Sequence, residues 1–172
     1  MIDQLAALRL QRGTKVEIVP TGLALQVEDY WRARCHGAGQ GTIPRRRDID
    51  PAGLGRLLPN VFLLDVVGPS LRLRWRLVGS AIALCEGGDP TGRWVEDSLT
   101  PGQADIVQHF AETTIRERRP TCHSGRWCDS AERQQVLARL LVPLSEEGSV
   151  VSTLLGLIDY APNEIVPLRG AA

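Results

Sequence analysis

The stretch from residue 61 to residue 78 reads Val61-Phe-Leu-Leu-Asp-Val-Val-Gly-Pro-Ser-Leu-Arg-Leu-Arg-Trp-Arg-Leu-Val78. Its first seven residues are apolar on both faces apart from Asp65, which is typical of a central strand. From Leu71 to Val78 apolar and basic residues alternate, as they do in a strand with one buried face. The intervening Gly68-Pro-Ser70 is short enough for a tight turn, so the stretch predicts an antiparallel hairpin.

Helical signals flank this hairpin on both sides. The apolar spacing within 23–34 predicts an amphipathic helix, and Asp50 followed by Pro51 marks the start of a short one. Short helices are also expected near 80–86 and 95–99. The clearest helix begins at Thr100, because this N-cap is followed by proline and by Gln103, which completes a capping box.

Three more strand-like segments follow the long helix, at 121–128, 135–144 and 149–160. Two strands, a group of helices and three further strands predict an α+β fold. We therefore expect one five-stranded antiparallel sheet with helices covering one face.

The chain of 172 residues is expected to form a single domain. Residues 1–22 are interpreted as an N-terminal arm, in which 2–12 can form a helix, residues 23–162 as the domain, and 163–172 as a tail. Four cysteines are too few for a disulfide scaffold, and the sequence has neither a signal-peptide core nor a run of 18 apolar residues. These features predict a cytoplasmic protein that does not insert into a membrane.

Charge excludes one class of partner. Twenty basic and twenty acidic residues cancel, and the pI is about 6.8, so no electrostatic footprint for nucleic acid is present. We therefore expect no nucleic-acid partner.

Several blocks of sequence together resemble a bacterial family of compact PAS-like proteins. They are Trp31, Pro44-Arg45, Asp48-Ile-Asp50-Pro51, Leu57-Leu58-Pro59, Phe62-Leu-Leu64, Arg74-Trp-Arg-Leu-Val-Gly79 and Asp89-Pro-Thr-Gly-Arg93. The resemblance covers about residues 25–162. It implies a five-stranded sheet with a helical cover, acting as a stand-alone sensory or protein-interaction module.

The resemblance also implies where a ligand would lie, since PAS relatives hold small molecules on the inner face of the sheet. The alternation predicts Leu73, Trp75 and Leu77 on that face, where they would meet Val107 and Phe110 of the long helix. Two alternatives stay open at this stage. The space holds a small molecule, or the side chains fill it and the protein is a ligand-free adaptor.

The opposite face of the same strand carries Arg72, Arg74 and Arg76, whose guanidinium groups suit carboxylate partners. Asp65 is the one nearby acid expected on the paired strand, and it is expected to neutralise a single arginine, with Arg76 as the candidate. The remaining positive charge predicts a binding surface for a second copy of the chain or for an effector protein.

Cofactor signatures are weak. His109 lies on the long helix but about 130° from its apolar stripe, so it is expected to face solvent, which argues against haem ligation. Cys85 shares only the cysteine with the flavin-adduct signature of this fold. Cys35, Cys122, His123 and Cys128 lack the spacing of zinc ligands, so no metal site is predicted.

The sequence contains no nucleophile elbow, Walker loop or dinucleotide-binding glycine motif. We therefore expect a regulatory protein that is not an enzyme. The ligand and the partner are not named by the sequence.

Overall fold

The structure is a computed structural model that describes residues 22–35, 43–128 and 134–160, without the side chains of 126–128 and 134–136. The predicted arm up to residue 21, the glycine-rich stretch at 37–41 and the predicted tail lie outside the described residues.

Helices and strands follow the predicted order. The helices are α1 (Gly22–Arg32), α2 (Pro51–Leu54), α3 (Ser80–Glu86), α4 (Val95–Ser98) and α5 (Pro101–Glu117). The strands are β1 (Val61–Val67), β2 (Arg72–Val78), β3 (Thr121–Cys128), β4 (Gln134–Ser145) and β5 (Val151–Tyr160). Short 3-10 segments span Arg46–Asp48 and Gly55–Asn60.

The five strands form one antiparallel sheet in the order β2-β1-β5-β4-β3. The hairpin predicted from 61–78 is confirmed as the β1–β2 pair. Strand β5 lies at the centre and is almost entirely buried, because its run from Thr153 to Ile158 is apolar or small on both faces. The predicted α+β class is confirmed.

We call the sheet face that carries Phe62, Trp75 and Arg139 the inner face. Helix α5 packs there, and the hydroxyl groups of Thr114 on α5 and Thr121 on β3 lie 2.5 Å apart. Helix α1 packs against β4 and β5, where the Trp31 indole donates a 2.8 Å hydrogen bond to the carbonyl of Pro143. No helix in the described part of the chain is long and apolar enough to cross a membrane.

The start of α5 follows its sequence signals. The backbone N–H of Thr100 donates to Oε1 of Gln103 at 3.1 Å, which is the reciprocal half of a capping box. The buried stripe of α5 consists of Ala104, Val107, Ala111 and Thr114. His109 is exposed, as predicted.

The prediction that Leu77 lies on the inner face is wrong, since its side chain is 44% exposed. Across the hairpin Leu63 pairs with Leu77, whereas the next residue, Leu64, pairs with Trp75. Arg76 is therefore one extra residue in β2, a β-bulge. Such a bulge breaks the alternation of side chains, so Leu77 no longer points inward with Trp75.

Candidate functional site

A cavity of about 140 Å³ lies between the inner face of the sheet and the chain that runs from α3 to α4. Its apolar side chains are Trp75, Ile82, Pro90, Leu99 and Ile158. Its charged side chains are Glu86, Asp89, Arg93 and Arg139, and Gly87, Gly88 and Ser98 complete the wall. Apolar walls with a few convergent polar groups are the usual composition of a small-molecule site.

Trp75 forms the part of the wall that belongs to β2. Its ring meets the ring of Phe62 edge-on, with the centroids 5.5 Å apart. Its indole Nε1 donates a 2.7 Å hydrogen bond to Oγ of Ser98, at the end of α4. Because a buried indole N–H needs a partner, this bond holds both the ring and α4 in place.

The edge of β2 is covered by the chain that leads into α4. The backbone N–H of Trp75 donates to the carbonyl of Arg93 at 3.0 Å, and the N–H of Gly92 donates to the carbonyl of Trp75 at 2.7 Å. Gly92 has a φ of 87°, which favours glycine at this position. We call residues 92–98 the clasp, because this segment is hydrogen-bonded to the strand that carries the cavity wall.

The clasp also reaches the opposite face of β2. The guanidinium of Arg72 lies 3.9 Å above the centroid of the Trp94 ring, and Nη2 of Arg72 forms a 2.6 Å ion pair with Glu96. One short segment therefore contacts the cavity wall through Ser98 and an exposed arginine through Trp94 and Glu96.

The turn that precedes the clasp is held by Asp89. Its Oδ1 accepts hydrogen bonds from Oγ1 of Thr91 at 2.6 Å and from the Thr91 backbone N–H at 2.9 Å. These bonds, the side-chain bond first, lower the pKa of Asp89.

Arg139 is the most deeply buried charged group of the cavity wall, with 3% of the residue exposed. It lies on β4, opposite Ile158 of β5 and His123 of β3. Burial lowers the pKa of Arg139 to about 10, against the opposing influence of Tyr160 and Glu86. The side chain therefore stays a cation at neutral pH.

Glu86 and Tyr160 form a second polar group near this wall. The Tyr160 hydroxyl donates a 3.0 Å hydrogen bond to Oε1 of Glu86. Burial first, and then the charge of Glu86, raise the pKa of Tyr160. The phenol therefore remains protonated and continues to donate this bond.

Phe110 and His123 stack on the inner face, with centroids 3.7 Å apart and planes 5° from parallel. Burial, followed by the charges of Arg139 and His109, lowers the pKa of His123 well below its usual value. His123 is therefore a neutral aromatic ring at physiological pH.

The predicted ligand-binding residues are only partly brought together at the cavity. Trp75 lines it. Leu73 and Val107 are buried in the core, and Phe110 is partly buried, but none of the three is in the wall of this cavity. Arg139, which lies in the wall, was not singled out by sequence reasoning. Its signal was present as the single charge within the apolar run from Val136 to Val142.

The predicted partner-binding arginines all have acidic neighbours in the chain. Arg74 and Arg76 each form a 3.0 Å ion pair with Asp65, and Arg72 pairs with Glu96. The expectation that Asp65 neutralises Arg76 is confirmed. The expectation that Asp65 neutralises a single arginine is wrong, because it pairs with both Arg74 and Arg76. The expectation that the remaining arginines lack intramolecular partners is also wrong, because the clasp supplies Glu96 to Arg72.

Cys35, Cys85 and Cys122 are present as thiols and form no disulfide bond among the described residues. Within the described ranges no group of three or more histidine, cysteine, aspartate or glutamate side chains is placed to hold a metal ion. Burial raises the pKa of Cys122 to about 12, so this thiol is protonated at neutral pH. The side chain of Cys128 lies outside the described part of the chain.

The sheet order, the helices between β2 and β3, and a cavity on the inner face define a PAS-type domain. A family model described as "PAS domain" matches residues 21–159, so the chain belongs to the PAS domain family. The resemblance inferred from the sequence is confirmed. PAS domains are mainly sensory signalling modules, which is the broad class to which this chain belongs.

Solved structures of similar fold include three with low sequence identity. The PAS domain of Bordetella pertussis BvgS is 17% identical, with a TM-score of 0.49 over 59% of this chain and 76% of that chain. A Rhodobacter sphaeroides LOV protein is 13% identical, with a TM-score of 0.49 over 61% of this chain and 60% of that chain. The LOV domain of a blue-light activated histidine kinase from Erythrobacter litoralis is 16% identical, with a TM-score of 0.47 over 62% of this chain and 99% of that chain. No curated protein matches the chain.

Proposed function

We propose that this PAS domain is a sensory module that binds a small organic ligand in the inner-face cavity and reports its presence at the outer face of β2, the face that carries Arg72 and Arg74. The observation that carries the proposal is the clasp. It contacts the cavity wall through the Ser98–Trp75 hydrogen bond and the exposed arginines through the Arg72–Glu96 ion pair.

A ligand changes a protein only when it binds two conformations with different affinities. In this proposal the two conformations differ in the position of the clasp relative to β2. A ligand that contacts Trp75 and Ser98 favours one position. The change then reaches Trp94 and Glu96, which hold the guanidinium of Arg72.

The proposal gives the chain a binding role and no catalytic step. It also places the module in the cytoplasm, where thiols such as those of Cys35, Cys85 and Cys122 stay reduced.

Native mass spectrometry of freshly purified protein tests the proposal, with the denatured protein as the mass reference. We expect the native protein to carry a small molecule, either as purified or after incubation with a cell extract. Ile82→Phe places a larger ring in the cavity wall and is expected to remove the bound molecule. Leu84→Phe is the matched control, because Leu84 is on the same helix and 83% exposed.

Circular dichroism would first establish that both variants fold. A wild-type protein that carries nothing under either condition contradicts the proposal, as does an Ile82→Phe protein that keeps the full bound mass.

A second candidate function is that of a ligand-free adaptor that binds a second copy of the chain or an effector protein. The observation in its favour is Leu77, which the bulge at Arg76 leaves exposed on the strand that carries Arg72 and Arg74. Arginine is enriched in protein interfaces, and the exposed leucine adds an apolar side chain beside the half-exposed guanidinium groups.

Sedimentation at low and high ionic strength tests this second candidate. Association that weakens with salt, and that is lost in the Arg72→Glu, Arg74→Glu double variant, would support it. A salt-independent monomer, or a double variant that associates as the wild type does, would count against it.

A further inference from the structure

Arg139 gives the cavity a chemical preference. Among the described side chains that are buried, the charged ones are Asp65 and Arg139. Asp65 forms ion pairs with Arg74 and Arg76, whereas Arg139 lines the cavity together with Glu86, whose charge favours the charged form of the guanidinium. Arg139 is on the inner face, where its neighbours across the sheet are Ile158 and His123. The cavity therefore has a guanidinium in a wall that is otherwise largely apolar on the sheet side.

We infer that the ligand of this cavity is a small monocarboxylate whose carboxylate group pairs with Arg139. This inference rests on the proposed function, because it names the class of ligand that the sensory module binds.

The guanidinium suits this role for two reasons. It has five N–H donors in a planar fork, so it can keep contacts within the protein and still present donors to a ligand. The fork matches the two oxygens of a carboxylate, and such charge-assisted pairs are stronger than neutral hydrogen bonds, particularly where water is excluded.

The size of the cavity favours a small ligand. A cavity of about 140 Å³ is several times the volume of about 30 Å³ that a water molecule takes in the liquid, so it has room for a group of several non-hydrogen atoms. Trp75, Ile82 and Ile158 offer an apolar surface to a short hydrocarbon chain. A carboxylate with a chain of a few carbons fits both conditions.

Other charges in the wall favour a single negative charge on the ligand. Glu86 and Asp89 line the same cavity and would repel a second carboxylate on the ligand. The other guanidinium of the wall, that of Arg93, donates a 2.9 Å hydrogen bond to the carbonyl of Asp97. A positively charged group on the ligand would be attracted to the same two carboxylates. The ligand's carboxylate can therefore come from a simple organic acid or from an α-amino acid, and the experiment separates the two.

Isothermal titration calorimetry of the full chain with butyrate and with butyramide is the primary test. The two probes have the same number of non-hydrogen atoms and differ in charge. We expect butyrate to bind at least about tenfold more tightly than butyramide, since a charge-assisted bond is worth more than a neutral one. Succinate, with two charges, is expected to bind more weakly than butyrate.

The variants connect this preference to Arg139. Arg139→Met should weaken butyrate binding at least about tenfold and leave butyramide binding nearly unchanged. Arg139→Lys keeps the positive charge but lacks the planar guanidinium, so its affinity for butyrate should lie between those of the wild type and Arg139→Met. Arg76→Met is the matched control, because Arg76 pairs with Asp65 away from the cavity and its removal should change neither probe.

Binding of 2-aminobutyrate identifies the source of the carboxylate. If 2-aminobutyrate binds more tightly than butyrate, and this advantage is lost in Glu86→Gln, the ligand is an α-amino acid. If butyrate binds more tightly than 2-aminobutyrate, the ligand is a simple organic acid. Both outcomes support the inference.

Equal affinity for butyrate and butyramide in the wild-type protein would overturn the inference, even if no Arg139 variant folds. Unchanged butyrate affinity in a folded Arg139→Met protein would also overturn it. In both cases the proposed function would survive, because a ligand still binds. If no probe binds and native mass spectrometry shows an empty protein, the proposed function fails as well.

Discussion

The ring of Phe62 packs directly against the α-carbon of Gly156 on the neighbouring strand, and it leaves no room for a β-carbon. The two residues pair across β1 and β5 in the middle of the sheet. The Phe62 ring also meets the ring of Trp75 edge-on, and Trp75 lines the cavity. A glycine at the centre of the sheet therefore determines where a wall of the site lies.

Gly156→Ala is expected to destabilise the protein by about 1–3 kcal/mol or more, because the added methyl group forces the Phe62 ring and then Trp75 out of position. Urea unfolding measures the change. The control is Gly125→Ala, where a β-carbon would meet nothing within 4 Å, and it should cost far less. In a double-mutant cycle, Phe62→Leu should recover part of the loss. Strict additivity of the two substitutions would contradict this explanation.

Ser98→Ala removes the acceptor of the Trp75 indole N–H while leaving the backbone of α4 intact. We expect a loss of about 1–3 kcal/mol in the free energy of unfolding, because a buried donor loses its partner. Ser80→Ala, at an exposed position at the start of α3, should change stability by no more than about 0.5 kcal/mol. Equal effects in the two variants would show that the indole bond does not hold α4.

Stability should depend on pH through His123. Burial first, then Arg139 and His109, keeps the pKa of His123 well below 6.5 in the folded protein. As the pH falls from about 6.5, the unfolded chain binds a proton that the folded chain does not, so the free energy of unfolding decreases. The limiting slope is about 1.4 kcal/mol per pH unit for one group.

Urea unfolding between pH 7 and pH 5 measures this slope. His123→Phe keeps an aromatic ring against Phe110 and should reduce the slope, whereas His109→Gln, at an exposed position, should leave most of it. A slope that survives in His123→Phe would show that another group is responsible.

The two faces of β2 should differ strongly in energy. Trp75→Ala empties a buried site and is expected to cost about 3–5 kcal/mol. Arg74→Ala removes a half-exposed partner of Asp65, which keeps its contact with Arg76, so a cost of about 1 kcal/mol or less is expected. Thermal or urea unfolding compares them, and similar small costs would mean that the faces are assigned wrongly.

Local signals in the sequence determined much of the fold. The alternation from Leu71 to Trp75, the capping signals at Asp50 and Thr100, and the solvent-facing side of His109 depend on neighbours within a few residues. Their geometry is set by the backbone period of a strand or a helix. For this reason the order of elements, the β1–β2 hairpin and the family were predicted from the sequence.

The site itself depended on contacts that no local pattern encodes. Leu77 turned outward because β1 pairs with β2 through a bulge, and the register of two strands is decided where they meet. Arg72 obtained Glu96 as a partner from 24 residues further along the chain. In the sequence, Arg139 is recognisable only as a single charged residue in an apolar strand. Its place in a cavity beside Trp75 was decided by the tertiary structure, because β2, β4 and α3 come together only when the sheet and its helices pack.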